Sequence, residues 1–461
     1  MTDARTHPLS ASTFSAVAQS RSLLWLVFVV VHLWLIYLNL YPEASGLNDV
    51  TYVYRQWMEQ GVYANYWAGI SGAWVYPIAA IVPMFAATLF GFGVYGITWL
   101  LLVTVLNAVG LAALTRWGRA QTPLVLGWWW LAFLALLGPI AVGRIDSITI
   151  PLALVAVTMI ARRLGIAALL LTVATWMKIW PAALLAALVV VLPSRGKVVV
   201  SAILTSIVIV AFALAFGSGV NVLSFITEQT GRGLQIEAPI TTFWMWQAFA
   251  GVPGATVYYD MDILTYQVTG AHVATAASLM TPLLAIAVLA LCGLGMLARR
   301  RHIPAAEILP VLALALVVAL IAFNKVGSPQ FIGWLSVPII LGIATRLEGE
   351  GRSFRVPAAL VLGMALLTQA IYPHFYNSVV MLEPTLLVIL TARNVLLFVL
   401  LGWAVTALIT MIRRPGASTT AAFSPDAFSA DAVTTDAYSP AASTDPPAAP
   451  VASPPVSSLK E

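Results

Sequence analysis

Apolar runs of about 18 to 25 residues recur along most of this 461-residue chain, and no other feature constrains its fold as strongly. The first, Leu23 to Leu40, reads LLWLVFVVVHLWLIYLNL. In hydrocarbon no water is available to bond backbone N–H and C=O groups, so such runs must satisfy them internally as helices. The chain is 61% hydrophobic and 9% charged, whereas a soluble domain is about half apolar and a quarter charged. The fold class is therefore an all-α polytopic membrane protein. The first run exceeds the 7 to 15 apolar residues of a signal-peptide core and carries His32 and Asn39, so it reads as a retained span.

Charge and cysteine content exclude several function classes. The net charge of +5 comes from small basic clusters at span ends, which reads as flank bias and not as a nucleic-acid surface. The single cysteine, Cys292, excludes an intrachain disulfide or a cysteine zinc site. Five scattered histidines offer no metal-ligand spacing, and nothing in the sequence requires a metal.

Twelve candidate spans follow from the apolar pattern: 22–40, 93–115, 124–138, 146–161, 165–177, 180–192, 197–217, 276–298, 305–322, 331–346, 356–372 and 386–412. An even number puts both termini on one side. Arg21, Arg116, Arg119, Arg162, Arg163, Arg195, Lys197, Arg299 to Arg301, Arg346, Arg352, Arg355, Arg413 and Arg414 then share one face, fifteen basic residues in all. The positive-inside rule makes that face cytoplasmic, in a multi-pass protein of the cell membrane. The opposite face keeps Arg55, Arg144, Lys178, Arg232, Lys325 and, near its boundary, Arg393. Three regions result: a cytoplasmic tail 1–20, a multispan domain 21–414 and a tail 415–461. The last is rich in Ala, Ser, Thr, Pro and Asp and cannot bury a core, so disorder is expected.

Two local features stand out. Spans 165–177 and 180–192 are too short to cross a hydrocarbon core of roughly 30 Å. They meet at Lys178-Ile179-Trp180-Pro181, which predicts two short helices with Lys178 at a recessed outer tip. The stretch WVYPIAAIVPMFAATLFG (74–91) carries two prolines and reads as an interfacial helix in the first outer loop.

With the topology set, the ionisable residues outside the cytoplasmic flanks collect on one face. Asp49, Arg55 and Glu59 lie in the first outer loop, Arg144 and Asp146 in the turn GRIDS, and Lys178 between the short helices. Glu228, Arg232, Glu237, Asp260 and Asp262 lie in the large loop 218–275, Lys325, Ser328 and Gln330 in FNKVGSPQF, and His374 in the last outer loop. Charge near the apolar boundary is costly and usually functional, so one outward polar cavity roofed by 218–275 is expected. Asp49 admits two readings. Asn48 or Asp49 can cap a helix ending at Gly61, or Asp49 can take a proton from a hydroxyl. The four cations Arg144, Lys178, Arg232 and Lys325 suit a phosphate or pyrophosphate, or they pair with acids, Arg232 with Glu228 or Glu237. Trp57, Tyr63, Tyr66, Trp67, Trp74 and Tyr76 suit an interface belt or a sugar-stacking wall.

This constellation resembles the glycosyltransferase C superfamily, multispan enzymes that use lipid-phosphate sugars on the outer face. More narrowly it is similar to the family 87 polyprenyl-phosphate-mannose-dependent mannosyltransferases of actinobacteria. The segments that carry the likeness are LNDVTYVY, WVYPIAAIVP, KIWPAALLAALVV, TGRGLQIEAP and NKVGSPQFIGWLSVP, spread over residues 20–412. GRIDS departs from it, with Arg144 and Asp146 where a more neutral turn is expected. The resemblance implies that Asp49 is the general base for a glycolipid or lipoglycan acceptor. The donor would be polyprenyl-phosphate mannose, attacked with inversion, and no cofactor is used. Lys178, Arg232 and Lys325 would contact the donor phosphate and Glu237 and His374 the sugar hydroxyls, with Arg144 and Ser328 as further substrate-binding residues. A transporter or lipid-linked sugar flippase is the alternative class, and a non-catalytic envelope-assembly subunit is a third. The absence of a twofold repeat and the one-sided charges speak against a transporter.

Overall fold

A computed structural model describes residues 19–41, 45–119, 124–228 and 232–413. The tail 415–461, Arg414 and nearly all of the tail 1–20 lie outside the described residues. All twelve apolar segments are helices. Eight are long and apolar enough to cross a membrane: Arg21–Leu40, Phe92–Leu114, Arg195–Ala215, Val273–Arg300, Ala305–Ala322, Pro329–Leu347, Arg355–His374 and Pro384–Arg413. The other four, Val125–Ala141, Asp146–Met159, Leu164–Thr175 and Ala182–Val191, are shorter apolar helices.

Burial divides these helices into two groups. In Ala305–Ala322 and Pro329–Leu347, 83% of the apolar window is buried by protein, so they form the centre. In Arg195–Ala215 and Val273–Arg300 the shares are 11% and 17%, and Ile203, Leu204, Ile207, Val208 and Phe212 point outward. Water would not tolerate apolar faces of that extent on a soluble monomer, whereas lipid does. The chain is a multi-pass, helical membrane protein.

Contacts between distant flanks sort the charges onto two ends. At one end Arg21 donates to the carbonyls of Gly118 and Arg119. Arg116 pairs with Glu348 at 3.7 Å, and Arg352 reaches the Ala407 carbonyl at 3.3 Å. The turns expected to share the basic face therefore do meet. The opposite end gathers the loops around Asp49.

Three local expectations need correction. The helix after Asp49 runs through Gly61 to Ala64 and stops at Asn65, which takes the left-handed conformation. Gly61 is required by close packing, because a Cβ there would strike the Trp67 ring. The stretch 74–91 contains only a turn at Ile78–Ala80 and a six-residue helix, Ile81–Ala86, too short to cross. The third correction is a β-hairpin in the loop 218–275, with strand β1 (Thr256–Asp260) antiparallel to β2 (Thr265–Thr269). Its residues, TVYYD and TYQVT, are β-branched and aromatic around a DMDI turn, so the signal was present in the sequence.

The loop 218–275 lies over the site end as expected, through bonds to three separate segments. Ser218 Oγ donates to Gly69 O at 2.6 Å, and Trp74 N donates to Ser224 Oγ at 2.8 Å. Gln235 N donates to Lys325 O at 3.1 Å. Glu237 pairs with Arg393 on the last helix at 2.7 Å.

Candidate functional site

Asp49 opens a π-helical segment, Asp49–Tyr54, that leads into the helix Arg55–Ala64. Such widened turns recur at functional positions. Asn48 already has helical angles (φ −52°, ψ −45°) and makes no side-chain cap bond, so the capping reading fails. Asp49 instead turns its Oδ2 to Arg144 Nε at 3.0 Å. Its side chain stays 39% exposed, while that of Arg144 is 7% exposed. The carboxylate is held on one edge and open on the other.

Arg144 itself is fixed by four further acceptors and rings. It donates to the Gly46 carbonyl, to Gly143 O at 3.0 Å and to Tyr372 Oη at 2.8 Å, and lies over the Tyr372 ring at 5.6 Å. The Gly46 contact is close because Gly143 has no side chain: a Cβ there would meet the Gly46 carbonyl. Asn39 ties the same loop, accepting from Gly46 N and donating to Pro139 O, each at 3.0 Å. Burial works against the Arg144 charge, but Asp49, Tyr372 and Tyr54 more than offset it, so the guanidinium is held above its ordinary value.

A chain of contacts links this acid to the cations. Tyr54, fully buried, meets Tyr76 Oη at 3.2 Å, and Ile145 N donates to Tyr54 Oη at 3.4 Å. Burial, then Tyr76 and Asp49, pushes the Tyr54 phenol well up, so it stays neutral. Tyr76 in turn presents its ring to Lys178 Nζ at 4.8 Å, and Phe331 lies beneath the same ammonium at 5.7 Å. Lys178 occupies the expected turn between Leu164–Thr175 and Ala182–Val191. Trp57 and Trp74 pack on Tyr76 at 5.9 and 5.7 Å, so these rings form a wall within the site. Tyr63 and Tyr66 are exposed and stand apart from it.

Arg232 and Lys325 complete the cluster. Burial lowers the Arg232 guanidinium from its ordinary value, with Tyr76 and then Glu228 opposing. Burial and then Arg232 itself lower the Lys325 ammonium. Arg232 thus adds to the burial that disfavours the Lys325 charge, a setting that favours an anion nearby. Lys178 and Arg232 thus share Tyr76 as a neighbour, and Arg232 neighbours Lys325.

Other expected site residues fall elsewhere. Glu237 does not face a cavity: its carboxylate accepts from Arg393 Nη1 at 2.7 Å with both side chains at most 4% exposed, and Arg393 Nη2 donates to Glu237 O at 2.9 Å. The pairing of Arg232 with Glu237 is overturned by this capture. Burying the carboxylate required a partner, and a cation inside a helix supplies it. Ser328 is half-buried at the start of the turn Pro329–Leu335, where its carbonyl accepts from Phe331 N. His374 is exposed in the π-helical segment Ala370–His374, beside Tyr372 but with no contact to Asp49. Tyr54 is a participant that sequence reasoning did not place in the site, and Arg393 acts beside it only through Glu237.

Among the described residues no group of three His, Cys, Asp or Glu could hold a metal ion. A cavity of about 590 Å³ lies at the other end of the molecule, lined by Glu307, Arg346, Glu350 and Arg352, remote from Asp49. Neither protein-family models nor curated proteins match this chain.

Proposed function

We propose that the protein is a membrane glycosyltransferase that moves a sugar from a polyprenyl-phosphate donor to a glycolipid or lipoglycan hydroxyl. One observation carries the reading: a half-open carboxylate, Asp49, lies one aromatic pair away from Lys178 and Arg232, and Lys325 adjoins Arg232. The Asp49 end faces outward, because the opposite end holds the basic flanks.

In this mechanism Lys178, Arg232 and Lys325 bind the donor phosphate. Asp49 takes the proton of the acceptor hydroxyl through its free oxygen. The hydroxyl oxygen forms a bond to the anomeric carbon as the bond from that carbon to the phosphate oxygen breaks. The electron pair leaves with polyprenyl phosphate, whose added charge the three cations stabilise. A single displacement inverts the anomeric centre. The phosphate departs already charged, so it needs no general acid. Mannose as the sugar follows from the family resemblance described above.

The test is transfer from radiolabelled polyprenyl-phosphate mannose in membranes. Asp49→Asn keeps the shape of the side chain and its bond to Arg144 but cannot take a proton. It should lose about 10²- to 10⁴-fold in transfer, the usual contribution of a general base. Full transfer by a normally inserted Asp49→Asn protein would defeat the assignment. Movement of the lipid across liposomes with no glycosidic product would favour the flippase.

A further inference from the structure

Four buried side-chain atoms beside this site have no hydrogen-bond partner among the described residues, and they sort by chemistry. Two are donors, Trp74 Nε1 and Arg232 Nε. Two are acceptors, Asp146 Oδ2 and Gln330 Oε1. Folded proteins pair nearly all such groups, because leaving one unmade forfeits its hydration without return. A cluster of them marks a place built for something complementary.

The two kinds neighbour different rings of the pair over which Lys178 Nζ lies. The donors are on the Tyr76 side: Trp74 packs on Tyr76 at 5.7 Å, and Arg232 is electrostatically coupled to it. The acceptors are on the Phe331 side. Trp334 stacks on Phe331 at 4.2 Å and donates its Nε1 to Asp146 Oδ1 at 2.6 Å, which leaves Oδ2. Gln330 directly precedes Phe331 in the turn Pro329–Leu335. Lys178 spans both sides, over the Tyr76 and the Phe331 rings. Asp146 is also two residues from Arg144, the partner of Asp49.

A phosphate diester offers only acceptors, whereas a sugar offers hydroxyl donors. We propose that Asp146 and Gln330 accept hydrogen bonds from hydroxyls of the donor's sugar and so determine which sugar is used. The inference rests on the lipid-phosphate-sugar reading above. The phosphate meets Arg232 and Trp74, and the sugar attached to it meets Asp146 and Gln330. Lys178, a long side chain on a turn, moves off the Phe331 ring to admit the sugar and stays with the phosphate. Asp146 carries no proton in the reaction; it is a specificity determinant. Its presence in the GRIDS turn is thereby explained, along with the orphaned oxygen.

Asp146→Asn makes a sharp test. The Trp334 N–H needs an acceptor, so the amide oxygen must stay at the Oδ1 position. The NH₂ then replaces Oδ2, and a donor stands where an acceptor was. Equilibrium binding of three labelled probes to the purified full chain is measured: polyprenyl phosphate, polyprenyl-phosphate mannose, and mono-deoxy analogues of the latter. Asp146→Asn should weaken polyprenyl-phosphate mannose by about tenfold or more, the effect of one hydrogen bond to a charged group. Polyprenyl phosphate should bind unchanged, and one deoxy analogue should bind wild type and variant alike. Gln330→Leu should give the same pattern with a smaller factor, and serves if Asp146→Asn folds poorly. Equal losses for all probes would mean a structural role, and no loss for any would mean that buried water fills the site. Either result overturns the inference while leaving the transferase reading intact. A wild-type protein that binds neither lipid overturns both.

Discussion

Replacing Arg393 by methionine tests whether the loop 218–275 is pinned by a single buried ion pair. Arg393 lies in the apolar helix Pro384–Arg413, yet its guanidinium contacts Glu237 Oε2 at 2.7 Å, Glu237 O at 2.9 Å and Asn394 Oδ1 at 3.0 Å. At an effective dielectric of about 20 the attraction at that separation is roughly 6 kcal/mol. Desolvation of the two ions offsets several kcal/mol of it. The net worth of the pair is therefore small, but removing one member strands the other. Arg393→Met should cost about 3–5 kcal/mol by leaving Glu237 buried without its cation. Replacing both, Glu237→Leu with Arg393→Met, should recover most of that loss.

The consequence for the site is what gives the variant its value. Glu237 shares a short segment with Arg232 and with Gln235, whose N–H holds the Lys325 carbonyl. Freeing the segment should lower thermal stability in detergent by on the order of 10 °C. On the proposed donor site it should also weaken binding of polyprenyl phosphate, because two of the three proposed phosphate cations lose their positions. The assays are a thermal melt and equilibrium binding on the same preparation. An Arg393→Met protein with unchanged melting and unchanged phosphate affinity would refute the pinning. A double variant as unstable as the single would refute the stranded-charge account.

Two further predictions concern the same loop contact and the opposite end. Gly327→Ala should disturb docking of the segment 234–238, because its Cβ would collide with the backbone at Glu237 and Ala238. Limited proteolysis of the loop should accelerate, and unchanged cleavage would count against this packing. At the other end, burial pushes the Glu348 carboxyl up to about 8, and Arg116 at 3.7 Å offsets it only in part. A carboxyl raised in the folded state favours folding most below its ordinary 4.5 and loses that contribution as pH rises to about 8. Wild type should therefore lose stability relative to Glu348→Gln across that window. A constant difference between the two melts from pH 5 to 8 would contradict it.

What the sequence made legible was whatever depends on local composition. Twelve apolar segments, the break at Lys178-Ile179-Trp180-Pro181 and the segregation of basic flanks all follow from runs and their ends. The partners were hidden because each pair is far apart along the chain. Glu237 and Arg393 are separated by 156 positions, and nothing near either foretells the other. Backbone conformation also decided between two readings left open by spacing: Asp49 reads as a cap only if Asn48 lies outside the helix, and Asn48 is already helical. The hairpin Thr256–Thr269 was legible in principle, but its β-branched and aromatic residues merge into a chain where such residues are common.

The turn GRIDS shows why a departure from an expected pattern can be more informative than agreement with it. A neutral turn would leave Asp49 free to choose among rotamers on an exposed surface. Arg144 removes that freedom through one oxygen, and is itself held by two backbone carbonyls and the Tyr372 hydroxyl. Each of those holders comes from a different part of the chain, so the carboxylate's direction is set by the packing of this whole end of the molecule and not by its own helix. Orientation of that kind is what a base needs, since proton transfer depends on placing one lone pair within hydrogen-bond reach of one hydroxyl. The arrangement also keeps two nearby carboxylates distinct. Asp49 meets Arg144 and solvent, whereas Asp146 meets Trp334 and is enclosed. Two acids beside one arginine, Asp49 through an ion pair and Asp146 two residues along the chain, thus differ in access, one half open and one enclosed.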